Sequence, residues 1–192
     1  MEVLRQGVRE SLSELDDITD ADLRNKVVEA HTLALSRTEF ARIEQMRPSG
    51  GYDTPAMRRG TQADHFRGVA RMAVALADGL EAVMGPIGID RDILLAGALC
   101  HDVGKAYEFS PRNLARWQAD PAAAGFPAVR HPAYGAHLAL TVGLPEAIVH
   151  IAGAHSMNAE GAYVKPSLEN VIVQYADVVF WRILERANLM EQ

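Results

Sequence analysis

The chain has 192 residues, 48% hydrophobic and 23% charged, the mix of an ordinary globular protein with length enough to bury a sizeable core. Its net charge of −6 disfavours a nucleic-acid polymer as partner, because affinity for a phosphate backbone comes from Lys and Arg. The single cysteine, Cys100, excludes an internal disulfide and leaves His and carboxylate side chains to hold any metal.

From the N-terminus, MEVLRQGVRESLSELDD lacks the apolar core of a signal peptide, and the longest apolar runs, such as Ile93 to Cys100, are too short to cross a bilayer. A cytoplasmic protein with no membrane partner is expected. Apolar residues recur at helical spacing, as in Val27, Val28, Ala30, His31, Leu33, Ala34, Leu35 and again in Val69, Met72, Ala73, Leu76, Ala77, Leu80. No alternating strand is evident, so the fold class is all-α, a bundle of about seven or eight helices. Helices are predicted over 2–15, 20–45, 62–84, 91–102, 111–118, 132–142, 145–156 and 168–188. Thr19, Thr61, Asp90 and Ser110 supply start signals, Pro111, Pro132 and Pro145 suit first turns, and Gly143 suits an end. Arg47 to Gly60 and Ala119 to Arg130 are rich in Gly or Pro and are predicted as loops over a site. The expected organisation is one compact domain, with residues 1–60 contributing N-terminal helices and a Gly/Pro loop and residues 61–192 holding the chemistry. The amphipathic N-terminal helices can pack on their own domain or on a second subunit, which admits a homo-oligomer.

The strongest local signal is Leu95-Ala-Gly-Ala-Leu-Cys-His-Asp-Val-Gly-Lys105, an apolar helix ending in adjacent His101 and Asp102. Imidazole and carboxylate both ligate divalent ions, and Gly104 is expected to let the backbone turn so that both enter one cavity. His65 opens another helix. Asp177 sits on an otherwise apolar helical face, where a lone carboxylate is costly unless paired or metal-bound.

The order His65, then His101-Asp102 within HDVGK, then a distant Asp177, all on helices, resembles the HD superfamily of metal-dependent hydrolases over about Thr61 to Arg186. Residues 1–60 carry no part of that likeness. The resemblance implies that His65, His101, Asp102 and Asp177 hold a first divalent ion. Dinuclear members of the superfamily carry a further His at the start of one helix and another about two dozen residues later. His131 and His155 match that arrangement and would hold a second ion, with Asp102 bridging. The subgroup that cleaves cyclic dinucleotides has paired histidines and a Gly-Tyr-Pro signature. Ala154-His155 and GAYVKP depart from both, so that activity is not expected.

His137 lies about 240° round the helix from His131, and His150 about 140° from His155. Neither shares the ligand face, although His137 is kept as a pocket-lining candidate; His31 and His150 read as packing or surface residues. Lys105 is similar to a lysine that several HD enzymes use on substrate oxygens, and it is a catalytic candidate together with Asp102. Six arginines against three acidic residues between Arg42 and Arg71 suit a small anionic substrate. Arg58, Arg59, Arg67 and Arg130 are candidate anion clamps and Tyr52 a candidate lid residue. Trp117 and Phe126 read as core.

The resemblance implies a phosphohydrolase acting on a nucleotide or small phosphorylated metabolite through one or two divalent transition metals, among Mn, Fe, Co, Ni and Zn. Two alternatives stay open. The same ligands, with Tyr52 upstream, also resemble dinuclear HD oxygenases that break C–C or C–P bonds with two irons and O₂; the other is a non-catalytic metal-binding module.

Overall fold

The computed structural model describes residues 1–157 and 160–191 and is all-helical, with no strand among those residues. The helices are α1 (Glu2–Ser11), α2 (Ala21–Ser36), α3 (Gln62–Met84), α4 (Arg91–Cys100), α5 (Lys105–Glu108), α6 (Pro111–Ala119), α7 (Pro121–Ala124), α8 (His131–Thr141), α9 (Glu146–Ala154) and α10 (Leu168–Arg186). α5 and α7 are single turns, and the eight longer helices correspond to the eight predicted ones. Among the described residues, no helix is long and apolar enough to cross a membrane.

Starts follow the expected capping chemistry with two corrections. Thr61 and Asp64 form a reciprocal capping box at α3, and Asp90 and Ser110 accept amide bonds at the heads of α4 and α6. α2, however, is capped by Asp20, which accepts from the amides of Asp22 and Leu23. Thr19 instead donates its hydroxyl to Asp92 on α4, 2.7 Å away, and ties the head of α2 to that helix. Pro145 is likewise the residue before α9, not a member of its first turn.

Two helices end earlier than their apolar patterns predict. α1 stops at Ser11 because Leu12 leaves helical geometry (φ −122°, ψ 75°), and Ser13–Asp17 continues as a 3₁₀ turn that buries Leu15. α2 ends at Ser36, not near residue 45. There the Ser36 and Thr38 hydroxyls donate to the carbonyls of Leu33 and Leu35, and the backbone tightens to Thr38 N–H on Leu35 O. Such local side-chain bonds compete with helix propagation.

α4 is the axis of the bundle. Every residue from Leu94 to Cys100 is buried, and α2, α3, α9 and α10 pack around it. A helix apolar on all sides is stable only when enclosed, and each fully buried leucine here, such as Leu94 and Leu99, contributes about 1.5–3 kcal/mol. α8 packs on α9, and α3 on α10. Val8, Leu12 and Ile18 from the N-terminal region share the same core as Leu99, Ile151 and Val173.

The bundle brings the end of α4, the head of α3, the head of α8, the end of α9 and the middle of α10 to one place. The 47–60 loop crosses that end. It is clipped to the C-terminal segment by Arg58 N–H on Leu189 O and Glu191 N–H on Ala56 O, both 2.8 Å. Tyr52 meets Phe126 edge-to-face at 5.2 Å, joining the two Gly/Pro-rich loops.

Candidate metal centre

His65 lies in the first turn of α3, and His101 and Asp102 follow α4 directly. The chain keeps helical dihedrals through His101 (φ −53°) and Gly104 (φ −71°), so the turn needs no special glycine conformation. Gly104 is required for a different reason from the one its sequence context suggests. A Cβ there would sit 2.1 Å from the His131 carbonyl oxygen and 2.7 Å from the Gly135 amide nitrogen. The missing side chain lets α8 cross the His-Asp turn at backbone contact, which delivers His131, the first residue of α8, to Asp102.

Five of the candidate ligands are essentially buried: His65, His101, Asp102, His131 and His155. Asp177 on α10 keeps a fifth of its side chain exposed. The two Asp102 oxygens divide the site. Oδ2 lies 3.0 Å from His65 Nε2, 3.2 Å from His101 Nε2 and 2.5 Å from Lys105 Nζ. Oδ1 faces His131 Nε2 at 3.1 Å and His155 Nε2 at 3.4 Å. Asp177 Oδ1 approaches the first pair, 3.5 Å from His65 Nε2 and 3.9 Å from His101 Nε2. His65, His101 and Asp102 thus form one group with metal-ligand spacing, and Asp102, His131 and His155 a second, with Asp102 common to both.

Proton positions decide whether these groups fit a cation. His101 Nδ1 lies 2.6 Å from Ala98 O, His155 Nδ1 3.2 Å from Ala152 O and His131 Nδ1 2.6 Å from Glu108 Oε2. Each of these Nδ1 atoms therefore carries the proton, and each Nε2 turns a lone pair toward Asp102. Lone pairs facing carboxylate oxygens repel unless positive charge stands between them. Asp102 Oδ1 and Asp177 Oδ1, both buried, have no hydrogen-bond donor at all. An unsatisfied acceptor among converging acceptors is what a cation would complete. The donor set, imidazole plus carboxylate with no thiolate, suits divalent transition metals.

The electrostatics agree. Burial works against ionised Asp102, yet the Lys105 ammonium, 2.5 Å from its Oδ2, holds the carboxyl well below the usual range. Burial pushes His65 down to about 4 and lowers His131, so both imidazoles are neutral and ligand-competent at pH 7. At His101 burial acts in the same downward direction, but neighbouring Asp102 outweighs it and raises the imidazole. A position that strengthens proton affinity in this way stabilises positive charge.

The family model for the HD domain matches residues 63–181, more than half of the chain. This chain belongs to the HD-domain family. No curated protein and no solved structure matches it. HD domains bind divalent metals and fall within a superfamily of metal-dependent phosphohydrolases, and the buried His and Asp groups of this HD domain are able to bind such ions.

The remaining candidates separate by position. Lys105 is fully buried in the HD site, bonded to Asp102 and donating to the backbone carbonyl of Ser49 at 2.9 Å. Arg130 precedes α8, its Nε 3.9 Å from Glu108 Oε2, at the rim beside His131. Arg58 and Arg59 are exposed on the 47–60 loop, and Tyr52 of that loop packs on Phe126. Two further candidates are engaged elsewhere. Arg67 is spent on Glu14, 3.0 Å away, where with Arg71 it neutralises a buried carboxylate, and His137 lies exposed on the outer side of α8 beside Arg37. His31 is a packing residue, bonded to Leu99 O at 2.8 Å with its ring on Phe66. His150 is also structural, accepting from Ser167 N–H at the start of α10. Trp117 is buried, as expected, whereas Phe126 is partly exposed against Tyr52.

Sequence reasoning missed three participants. Glu108, fully buried, holds His131. Its signal was a three-residue step, since Asp102, Lys105 and Glu108 recur on one helical face. Trp181 lies over His65 with ring centroids 4.6 Å apart, and its spacing of four from Asp177 on α10 marks it. The Ser49 carbonyl, a backbone group, gives no residue-type signal.

Proposed function

We propose that this HD-domain protein is a metal-dependent phosphohydrolase acting on a small anionic phosphate compound, a nucleotide or a phosphorylated metabolite. The observation that carries the reading is the cluster itself: imidazole lone pairs and carboxylate oxygens converge with a fully buried lysine in the same space. His65, His101, Asp102 and Asp177 would hold one divalent ion and Asp102, His131 and His155 a second. An ion so held supplies Lewis acidity and a water acidic enough to act near neutral pH. Asp102 fixes the spacing of the two groups through its separate oxygens. Lys105 supplies a charge to offset phosphate oxygens, aided at the rim by Arg130, and Arg58 and Arg59 draw an anion to the loop face. Trp181 covers one face of the His65 ring.

The test is release of inorganic phosphate from a panel of nucleotides and sugar phosphates by purified protein loaded with Mn²⁺, Co²⁺ or Fe²⁺. Metal-dependent release that disappears in His101→Ala is expected. No release with any metal, accompanied by substrate-dependent O₂ uptake in the iron-loaded protein, would replace this reading with the diiron oxygenase chemistry.

A further inference from the structure

We infer that Glu108 is a positioning residue, which sets the ring orientation and tautomer of His131 so that its Nε2 lone pair is presented to the second ion. The inference rests on the reading of His131 as a ligand. Glu108 ends the single-turn helix α5 and is completely buried. Its Oε2 accepts twice from the same residue, from the His131 backbone N–H and from Nδ1–H at 2.6 Å. Two bonds to one residue fix both its main chain and its side-chain torsions.

The backbone bond has a structural meaning as well. Arg130, the residue before α8, offers no side-chain cap, so the carboxylate reaching across from α5 takes the place of an N-cap and puts negative charge at the positive end of the helix dipole. A carboxylate used only as a cap would leave the imidazole to rotate. Here the second bond protonates Nδ1, which leaves Nε2 unprotonated and 3.1 Å from Asp102 Oδ1. Without that bond the neutral imidazole is free to place its proton on Nε2, where it would donate to Asp102 and block ligation. His101 and His155 get the same tautomer from backbone carbonyls within their own turns, Ala98 O and Ala152 O. His131 stands at the first position of its helix, where no preceding turn supplies a carbonyl, so the acceptor must come from another element. Glu108 is that acceptor. Carboxylate partners behind a ligating histidine are worth about 10- to 100-fold in metal affinity.

The experiment is titration of the metal-free full-length protein with Mn²⁺, by calorimetry with metal analysis, on wild type, Glu108→Gln, Glu108→Ala and His131→Ala. Long-range ¹H–¹⁵N spectra of the metal-free protein report the His131 tautomer. Wild type should show His131 as the Nδ1–H form and take two ions. Glu108→Gln and Glu108→Ala should keep the first ion at wild-type affinity, weaken the second about 10- to 100-fold, and populate the Nε2–H form, with the larger effects in Glu108→Ala. A purely capping role predicts a lowered Tm with tautomer and second-ion affinity unchanged. Loss of the second ion in His131→Ala, with both ions and the Nδ1–H form retained in Glu108→Gln and Glu108→Ala, overturns the inference alone. Two ions at wild-type affinity in His131→Ala overturns the assignment of His131 as a ligand and the inference with it. If Glu108→Ala does not fold, the isosteric Glu108→Gln decides both measurements.

Discussion

The replacement Gly104→Ala perturbs the contact between the two halves of the centre by one methyl group. Its Cβ would lie 2.1 Å from His131 O and 2.7 Å from Gly135 N, both backbone atoms of the first turn of α8. Relief to an ordinary contact of 3.4 Å requires a separation of about 1.3 Å, and no side-chain rotation supplies it. Whichever backbone yields, the spacing between Asp102 and His131 opens. Overpacking of this kind costs about 1–3 kcal/mol, which for a chain of this length lowers Tm by about 2–12 °C. His65, His101 and Asp177 are not on α8, so the first group should survive. The expected product is a folded protein with lower Tm that binds one Mn²⁺ near wild-type affinity and a second at least about tenfold more weakly. Calorimetric titration and a melting curve on one preparation measure both effects. Two ions at wild-type affinity together with an unchanged Tm would refute the close-approach argument.

His101→Ala and Asp102→Ala should each abolish metal uptake at the first group, and Asp102→Ala should also remove the second ion, because Asp102 alone belongs to both groups; metal analysis after dialysis distinguishes the two patterns. His31 is fully buried, and burial pushes it down to about 4 from 6.5 despite its bond to Leu99 O. The unfolded chain takes up this proton near pH 6.5 and the folded one only near 4, so folding stability is full above pH 6.5 and falls between about 6.5 and 4. The loss attributable to His31 is about 3 kcal/mol, and His31→Gln should flatten the profile in denaturant melts across that window. Lys105→Met leaves Asp102 buried without its ammonium partner, a change that costs about 3–5 kcal/mol when a buried pair is broken. That destabilisation should be larger in chelator-treated protein than in Mn²⁺-loaded protein, read as a difference in Tm, because a divalent cation at Asp102 replaces the missing charge.

The helices were legible because their cause is local. Apolar residues at a period of 3.6 and acceptor side chains at the heads of α3, α4 and α6 are written in consecutive residues. The errors in α1 and α2 are also local but sterically finer, since nothing in the apolar pattern marks where Leu12 departs from the helix or where the Ser36 and Thr38 hydroxyls turn back on their carbonyls. The histidines and aspartates that converge were legible by type and order. What surrounds them was less so, because pairings such as Arg67 with Glu14, 53 positions apart, arise only once helices pack. Arg67 sits two residues from His65 in sequence, but this is a helical step of about 200°, which points it away from the ligand face. Gly104 shows the opposite case: its presence was noticed and its reason misread, because close approach to a backbone 27 residues later leaves no trace in the neighbouring sequence.

The division of labour within Asp102 explains why a lysine is buried beside it. Its Oδ2 already has His65, His101 and Lys105 within 3.2 Å, whereas Oδ1 has only imidazole nitrogens facing it. The ammonium therefore sits on the oxygen shared with the first group and compensates the carboxylate there. A divalent cation held by the first group would compete with the ammonium for Asp102 and repel it. Ser49 O, 2.9 Å from Nζ, is the acceptor that stays with the lysine when the contact with Asp102 weakens. The remaining donors of the ammonium must then find another anionic or polar partner, since the Phe109 and Trp181 rings beside it offer only their faces. Under the proposed function a phosphate oxygen would meet that need, whereas a neutral substrate would leave a buried cation incompletely compensated. Under the proposed function the 47–60 loop would take part in recognition, because the carbonyl that holds Lys105 in place belongs to the loop and not to the helical bundle.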